Sequence, residues 1–395
     1  MKNSVIVVWL EGVNPTLLSS SPSVAKIAAK GVDLKLMPLP LAEQSVCGYQ
    51  LLTGMGSGKF GHFDAVRPEG YTVQREENVP DGALGRLLPD VLRSHKLNVL
   101  FQEVQQKEAF KTLLEQKNDC GIIRFLGLEH ASIDEIDDVV QLCVKMVAPE
   151  THLVVLTDVW QPQPRALVNV NNFLADIGLL EVGTPRTREG ILWSESLAYG
   201  LGTGQIWVNL RGREPQGIVG SGAEYQKVCE ALINELRSNW LDPRTNSPVV
   251  AQVLKKEDAY TGEYLFKAPD LVIVYRPGYS TSSNATLLDF DGESVREVNT
   301  SSDAIAPYAQ LIAGGPCLVS GFAESCSLVD VMPSLLYLLG QPIPHFIDGQ
   351  VISSMFTSSY RQQTPLKVVE DESDLLSEEE EGLVVDRLRD LGYLG

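Results

Sequence analysis

The sequence is poor in histidine, in basic residues and in long apolar stretches, and each scarcity excludes something. Five histidines occur in 395 residues, His62, His95, His130, His152 and His345, and each stands alone without a second ligand at metal spacing. They read as surface or packing residues, and only His130, beside Glu129, has an acidic neighbour of interest. Thirty-two Lys and Arg oppose 51 Asp and Glu, a formal charge of −19 with no concentrated basic patch. Such a surface repels phosphate backbones and anionic lipid, so no nucleic-acid partner is expected. The six cysteines show no CxxC pair and no dense framework, and they are expected to be reduced. No apolar run approaches the roughly 18 residues that a spanning helix needs. The opening run at 5–10 stops at Glu11, too short for the apolar region of a signal peptide, and a soluble cytoplasmic protein without a membrane span is the expectation.

What is present is an ordinary globular composition, 44% hydrophobic and 21% charged. Short β-rich apolar runs recur at 5–10, 97–104, 121–128, 152–158, 206–210, 270–275 and 309–315. Between them lie stretches with apolar residues at three-to-four spacing, at 22–30, 82–94, 133–147, 171–180, 224–239 and 329–339. Buried parallel strands alternating with helices predict an α/β fold, a doubly wound, mainly parallel sheet with helices on both faces. The pattern changes to Gly-rich loops and short strands after 183. The expected organisation is a core in two parts, 1–182 and 268–356, around an inserted subdomain at 183–267. An acidic arm and a short amphipathic C-terminal helix follow at 357–395; Glu370 to Glu381 holds eight carboxylates and no base. In such sheets ligands sit beyond the carboxyl ends of the strands, which singles out Glu11 and Asp158.

The segment GMGSGK at 54–59 mimics a phosphate-cradling loop. The first Gly of GxxxxGK falls on Thr53, and Phe60 replaces the Ser or Thr that would hold magnesium, so it reads as a plain Gly turn. Four stretches taken together carry a more specific signal: VIVVWLEGVNPTLL at 5–18, LLTGMGSGKFGHFD at 51–64, WSESLAYGLGTGQIWVNLRGREPQGIV at 193–219 with APDLVIVYRPGY at 268–279, and SLVDVMPSLLYLLGQPIPHFIDGQVI at 327–352 with the terminal DRLRDLGYLG. They resemble the type I phosphodiesterase/nucleotide pyrophosphatase branch of the alkaline phosphatase superfamily. That resemblance covers nearly the whole chain and implies the alkaline-phosphatase-like fold.

The resemblance also implies a site, and the residues depart from it. The family holds two divalent metals, usually zinc, through Asp and His at strand ends, with a Thr or Ser nucleophile on one metal. The metals activate the nucleophile and clamp the entering and leaving oxygens. Carried over position by position, the first carboxylate is Glu11 and the nucleophile position is Tyr49. The strand-end Asp-His-Gly becomes Asp158, Val159 and Trp160, the late His becomes Ile305, and a middle Asp with its His becomes Glu129 and Ile133. What remains is a candidate oxygen cluster of Glu11, Asp158 and Glu129 with Tyr49 beside it, and hard carboxylates suit magnesium or manganese better than zinc. No cofactor is expected. The leading expectation is a degenerate phosphodiesterase-like protein, weak or inactive as a hydrolase, with a binding or scaffold role toward a protein partner or a phosphate-containing small molecule. The alternatives are an active metal-dependent phosphodiesterase or phosphatase with a re-made carboxylate site, and a phosphate-ester or nucleotide sensor. Cys47 lacks the Pro and Arg of the sulfatase signature, so it reads as a buried Cys.

Overall fold

The computed structural model describes residues 3–39, 44–64, 66–75, 83, 85–128, 130–160, 163–281, 293–298 and 307–369. Glu129, Ile305 and residues 370–395, with the run of carboxylates and the C-terminal helix expected there, lie outside these residues.

Along the chain the strands are β1 (Val5–Leu10), β2 (Val32–Met37), β3 (Val66–Glu69), β4 (Thr72–Arg75), β5 (Val99–Val104), β6 (Cys120–Phe125), β7 (His152–Thr157), β8 (Ala166–Val168), β9 (Ala198–Leu201), β10 (Gln205–Val208), β11 (Val250–Lys255), β12 (Leu271–Tyr275), β13 (Tyr279–Thr281), β14 (Val295–Glu297), β15 (Ala309–Gly314), β16 (Phe322–Ser327), β17 (Ile343–Pro344) and β18 (Val368–Val369). The helices that matter here are α1 (Pro15–Ser19), α2 (Pro22–Lys30), α3 (Gln44–Thr53), α4 (Ser57–Phe60), α5 (Leu88–Ser94), α6 (Lys107–Leu114), α7 (Ile133–Met146), α8 (Val170–Asp176), α9 (Ala223–Ser238), α10 (Lys256–Ala259) and α11 (Val331–Leu338).

The central sheet has seven strands in the order β16-β2-β15-β7-β1-β6-β5. β1 and β7 are almost wholly buried because both faces are covered, which is why they read as continuous apolar runs instead of alternating ones. Alternate residues still part to opposite faces. Val5, Val7 and Trp9 pack with α3, α5 and α11, while Val8 and Leu10 pack with α2, α6 and α7. The sequence places α7 sharply, since Ser132 and Glu135 form a reciprocal capping box at its start.

A second layer is built on a four-stranded sheet, β11-β12-β10-β9, backed by α8 and α9. β8 lies between β13 and β14 in a small third sheet. Three strands differ from the parallel expectation. β15 runs antiparallel to both β2 and β7, because Trp160 and Tyr308 pair their backbones at the carboxyl edge and the chain therefore enters β15 from that edge. β10 is joined to β9 by a tight turn through Gly202 and Gly204, at φ 58° and 92°, and so short a connection permits only antiparallel pairing. β12, expected in the resumed core, pairs antiparallel with β10 and β11 in the second sheet.

Candidate functional site

In the β1–β7 ladder Leu10 faces Thr157, so Glu11 and Asp158 follow the ends of neighbouring strands. The structure brings these two acids to one edge and then engages both. Asp158 Oδ1 accepts a hydrogen bond from Trp9 Nε1 at 2.6 Å, and Oδ2 accepts one from the Gly12 amide at 2.9 Å. Gly12 sits at φ 73°, a left-handed turn that costs little without a Cβ and aims its N–H back at Asp158. Glu11 Oε1 is bound by Arg124 Nη2 at 2.8 Å, and Arg124 Nη1 reaches Glu103 at 2.9 Å.

These contacts follow from register. Trp9 faces Arg124, and Arg124 faces Glu103, across three adjacent parallel strands. The guanidinium carbon of Arg124 lies 5.1 Å from the Trp9 ring centre, a cation–π arrangement that covers one side of the indole. The ring is only 5% exposed. Its far edge extends to α3, where a Cβ built on Gly48 would stand 3.8 Å from Trp9 Cη2. Trp9 therefore spans the space between the strand-end carboxylate and the helix that carries Tyr49.

Tyr49 lies on that helix, half-buried, with its ring 5.9 Å from Phe60 and 5.7 Å from His62. Burial pushes its phenol above the ordinary value, which moves it further from a usable phenolate. Val159 is buried in the apolar cluster that also holds Trp9, Val46 and Cys47. Ile133 is the half-buried first residue of α7. Glu129 and Ile305 cannot be placed because they lie outside the described residues. Lys59 of the GMGSGK segment pairs with Asp348 at 2.7 Å and donates to the Phe346 carbonyl at 2.7 Å, the role of a structural lysine in a turn.

Among the described residues the donors present do not fit a two-metal centre. Asp158 already accepts from a buried indole N–H and a half-buried amide, a guanidinium holds Glu11, and Val159 and Trp160 offer no imidazole. Among the described residues no three His, Cys, Asp or Glu side chains form a group that could hold a metal ion. The sequence reading missed Trp9, Gly12 and Arg124. Arg124 had a visible signal: it is the one charge in the apolar run CGIIRFLGL, one residue before its strand ends at the edge where ligands bind.

No family model matches the chain, and no curated protein matches it in sequence. Solved structures do match. The human ectonucleotide pyrophosphatase/phosphodiesterase 5 covers 90% of this chain and is itself covered in full, with a TM-score of 0.57 and 14% identity. An inactive form of the murine protein in complex with AMP gives the same coverage, TM-score and identity. A second murine structure gives a TM-score of 0.56 at 13% identity, again over 90% of this chain. The chain thus has the nucleotide pyrophosphatase/phosphodiesterase fold, the alkaline-phosphatase-like architecture that its sequence resembles.

Proposed function

We propose that this chain is a catalytically degenerate member of the phosphodiesterase-like fold, a cytoplasmic pseudoenzyme that keeps the architecture for binding or scaffolding. One observation carries the reading: both oxygens of Asp158 are held by Trp9 Nε1 and the Gly12 amide, in a place where a hydrolase of this fold would present them to metal. Arg124 on Glu11 supports it, since a guanidinium supplies the counter-charge that a cation would otherwise bring. Losing one group that stabilises developing charge costs on the order of 100- to 1000-fold in rate, and groups that act as a unit fail together. All six cysteines are free, which fits a reducing compartment. Among the described residues no helix is long and apolar enough to cross a membrane.

The test is hydrolysis of bis-nitrophenyl phosphate with zinc, magnesium or manganese supplied, together with elemental analysis of protein purified without chelator. Negligible turnover and no stoichiometric zinc are expected. Turnover that disappears in folded Asp158→Asn and Glu11→Gln variants, or two zinc ions per chain, would return the chain to the active enzymes.

A further inference from the structure

Away from the strand-end acids, Phe266 is the most exposed large hydrophobic side chain among the described residues, at 72%. It stands in the short turn Leu265–Lys267 with its ring stacked on that of Tyr264, the centres 6.3 Å apart. The backbone holds this pair in place. The Tyr264 amide donates to the Gly58 carbonyl at 2.9 Å, and the Tyr264 ring packs on Gly61, where a Cβ would stand only 2.9 Å from it. Lys267 Nζ lies 5.0 Å from the Tyr264 ring centre and 5.9 Å from that of Phe266, and it forms no ion pair among the described residues. A single exposed apolar residue is ordinary on a protein surface. A fixed aromatic pair with a cation laid over both rings is the make-up of a contact point.

The described part of the chain ends close by. β18 pairs parallel with β17, and the His345 amide donates to the Val369 carbonyl at 3.1 Å, so the end of β18 points along the sheet toward Phe346. Arg86 lies over the Phe346 ring at 5.2 Å and reaches Glu263, the residue before Tyr264, at 3.7 Å. Phe346, Arg86 and Glu263 thus lead from the end of β18 to the ring pair. The sequence that follows Val369 opens with EDESDLLSEEEE, in which Leu375 and Leu376 have carboxylates on both sides. Leu375 is six residues beyond Val369, a reach of about 20 Å for an extended chain. Most of the surface of a chain with a formal charge of −19 repels such a segment, so a point that is both aromatic and basic selects it.

We propose that the Tyr264–Phe266 pair is the docking point for the acidic segment 370–381 of the same chain, with Leu375 and Leu376 against the rings and the flanking carboxylates toward Lys267 and Arg86. The leucines cover apolar surface that otherwise faces water, and the carboxylates meet the one cation of the patch that has no acidic partner there. A tether of this length supplies an effective concentration of about 1 mM, so contacts too weak to hold a separate peptide suffice.

The experiment is zero-length coupling of the full chain with a water-soluble carbodiimide, which joins lysine amines to carboxylates in contact. Monomer and dimer bands are separated, and tandem mass spectrometry reads the coupled pairs in each. In the monomer band Lys267 is expected to join Glu370, Asp371, Glu372 or Asp374 about tenfold more often than Lys96 does. Lys96 is the control because it is exposed and follows His95, which faces Gln341 just before β17. Phe266→Ser, at an exposed position, should leave the melting temperature unchanged and lower the Lys267 yield about fivefold, through the lost apolar contact. No coupling of Lys267 to the segment, equal yields at Lys267 and Lys96, coupling of Lys267 in the dimer band alone, or an unchanged yield in Phe266→Ser would overturn the assignment. Coupling in the dimer band alone would make a second copy of the chain the occupant. The comparison of the two lysines needs no variant, and none of these readouts depends on the hydrolysis test.

Discussion

If Trp9 and Asp158 form one structural unit, their substitutions must be strongly coupled. The Nε1–Oδ1 contact at 2.6 Å is a short bond from a buried donor to a carboxylate. Hydrogen bonds to charged groups contribute about 1.5–3 kcal/mol net. Trp9→Phe removes the donor and part of a ring that is 5% exposed, leaving a void that adds roughly 1 kcal/mol. The single change should therefore cost about 2.5–4 kcal/mol. Asp158→Ala strands the buried indole N–H, at about 1–3 kcal/mol, and leaves the half-buried Gly12 amide to water. In the double variant the indole–carboxylate term is removed once and counted twice, so a double-mutant cycle should return a coupling of about 1.5–3 kcal/mol. Urea unfolding at pH 7, followed by far-UV circular dichroism, measures all four corners. A coupling below about 0.5 kcal/mol would mean that Asp158 does not depend on Trp9, and the argument that the protein itself occupies the site would fail.

Three further outcomes follow from the same contacts. His152 is fully buried with neither ring nitrogen hydrogen-bonded, and desolvation lowers its pKa from 6.5 to about 4. The unfolded chain then binds the extra proton first, so stability should be complete above pH 6.5 and fall by about 3 kcal/mol as pH drops from 6.5 to 4, a slope that His152→Gln should flatten in pH-dependent melting. Asp270 accepts from Arg213, Tyr225 and the Val208 amide with its side chain fully buried; Asp270→Asn should cost about 1.5–3 kcal/mol by weakening its bonds to the half-buried Arg213 guanidinium, and a loss under about 0.5 kcal/mol by urea unfolding would contradict this. Arg124 is about 29% exposed, so Arg124→Met should cost only about 1 kcal/mol, and a melting temperature lowered by more than about 4 °C would show a larger role than its geometry implies.

How much was legible beforehand can be argued from particular residues. The runs around Val5–Leu10 and His152–Thr157 announced themselves because a strand covered on both faces must be apolar throughout, whatever lies next to it. The helix from Ile133 carried its own start signal in Ser132 and Glu135. The direction of Ala309–Gly314 was not legible, since a buried strand has the same composition whether it runs parallel or antiparallel. Nor was the pairing of Leu271–Tyr275 with the second sheet, because its apolar face would fit either layer. Sequence could place Glu11 and Asp158 after strand ends and note the missing imidazoles. It could not show that Trp9, Arg124 and Glu103 stand abreast in three neighbouring strands, because those residues lie far apart along the chain and meet only through strand order and register. The amino-acid sequence by itself determined which segments had to be buried and which residue types follow the ends of the central strands. The tertiary structure alone decided which groups bond to Asp158 and Glu11, because a hydrogen bond depends on position within tenths of an ångström and only the assembled sheet sets that position.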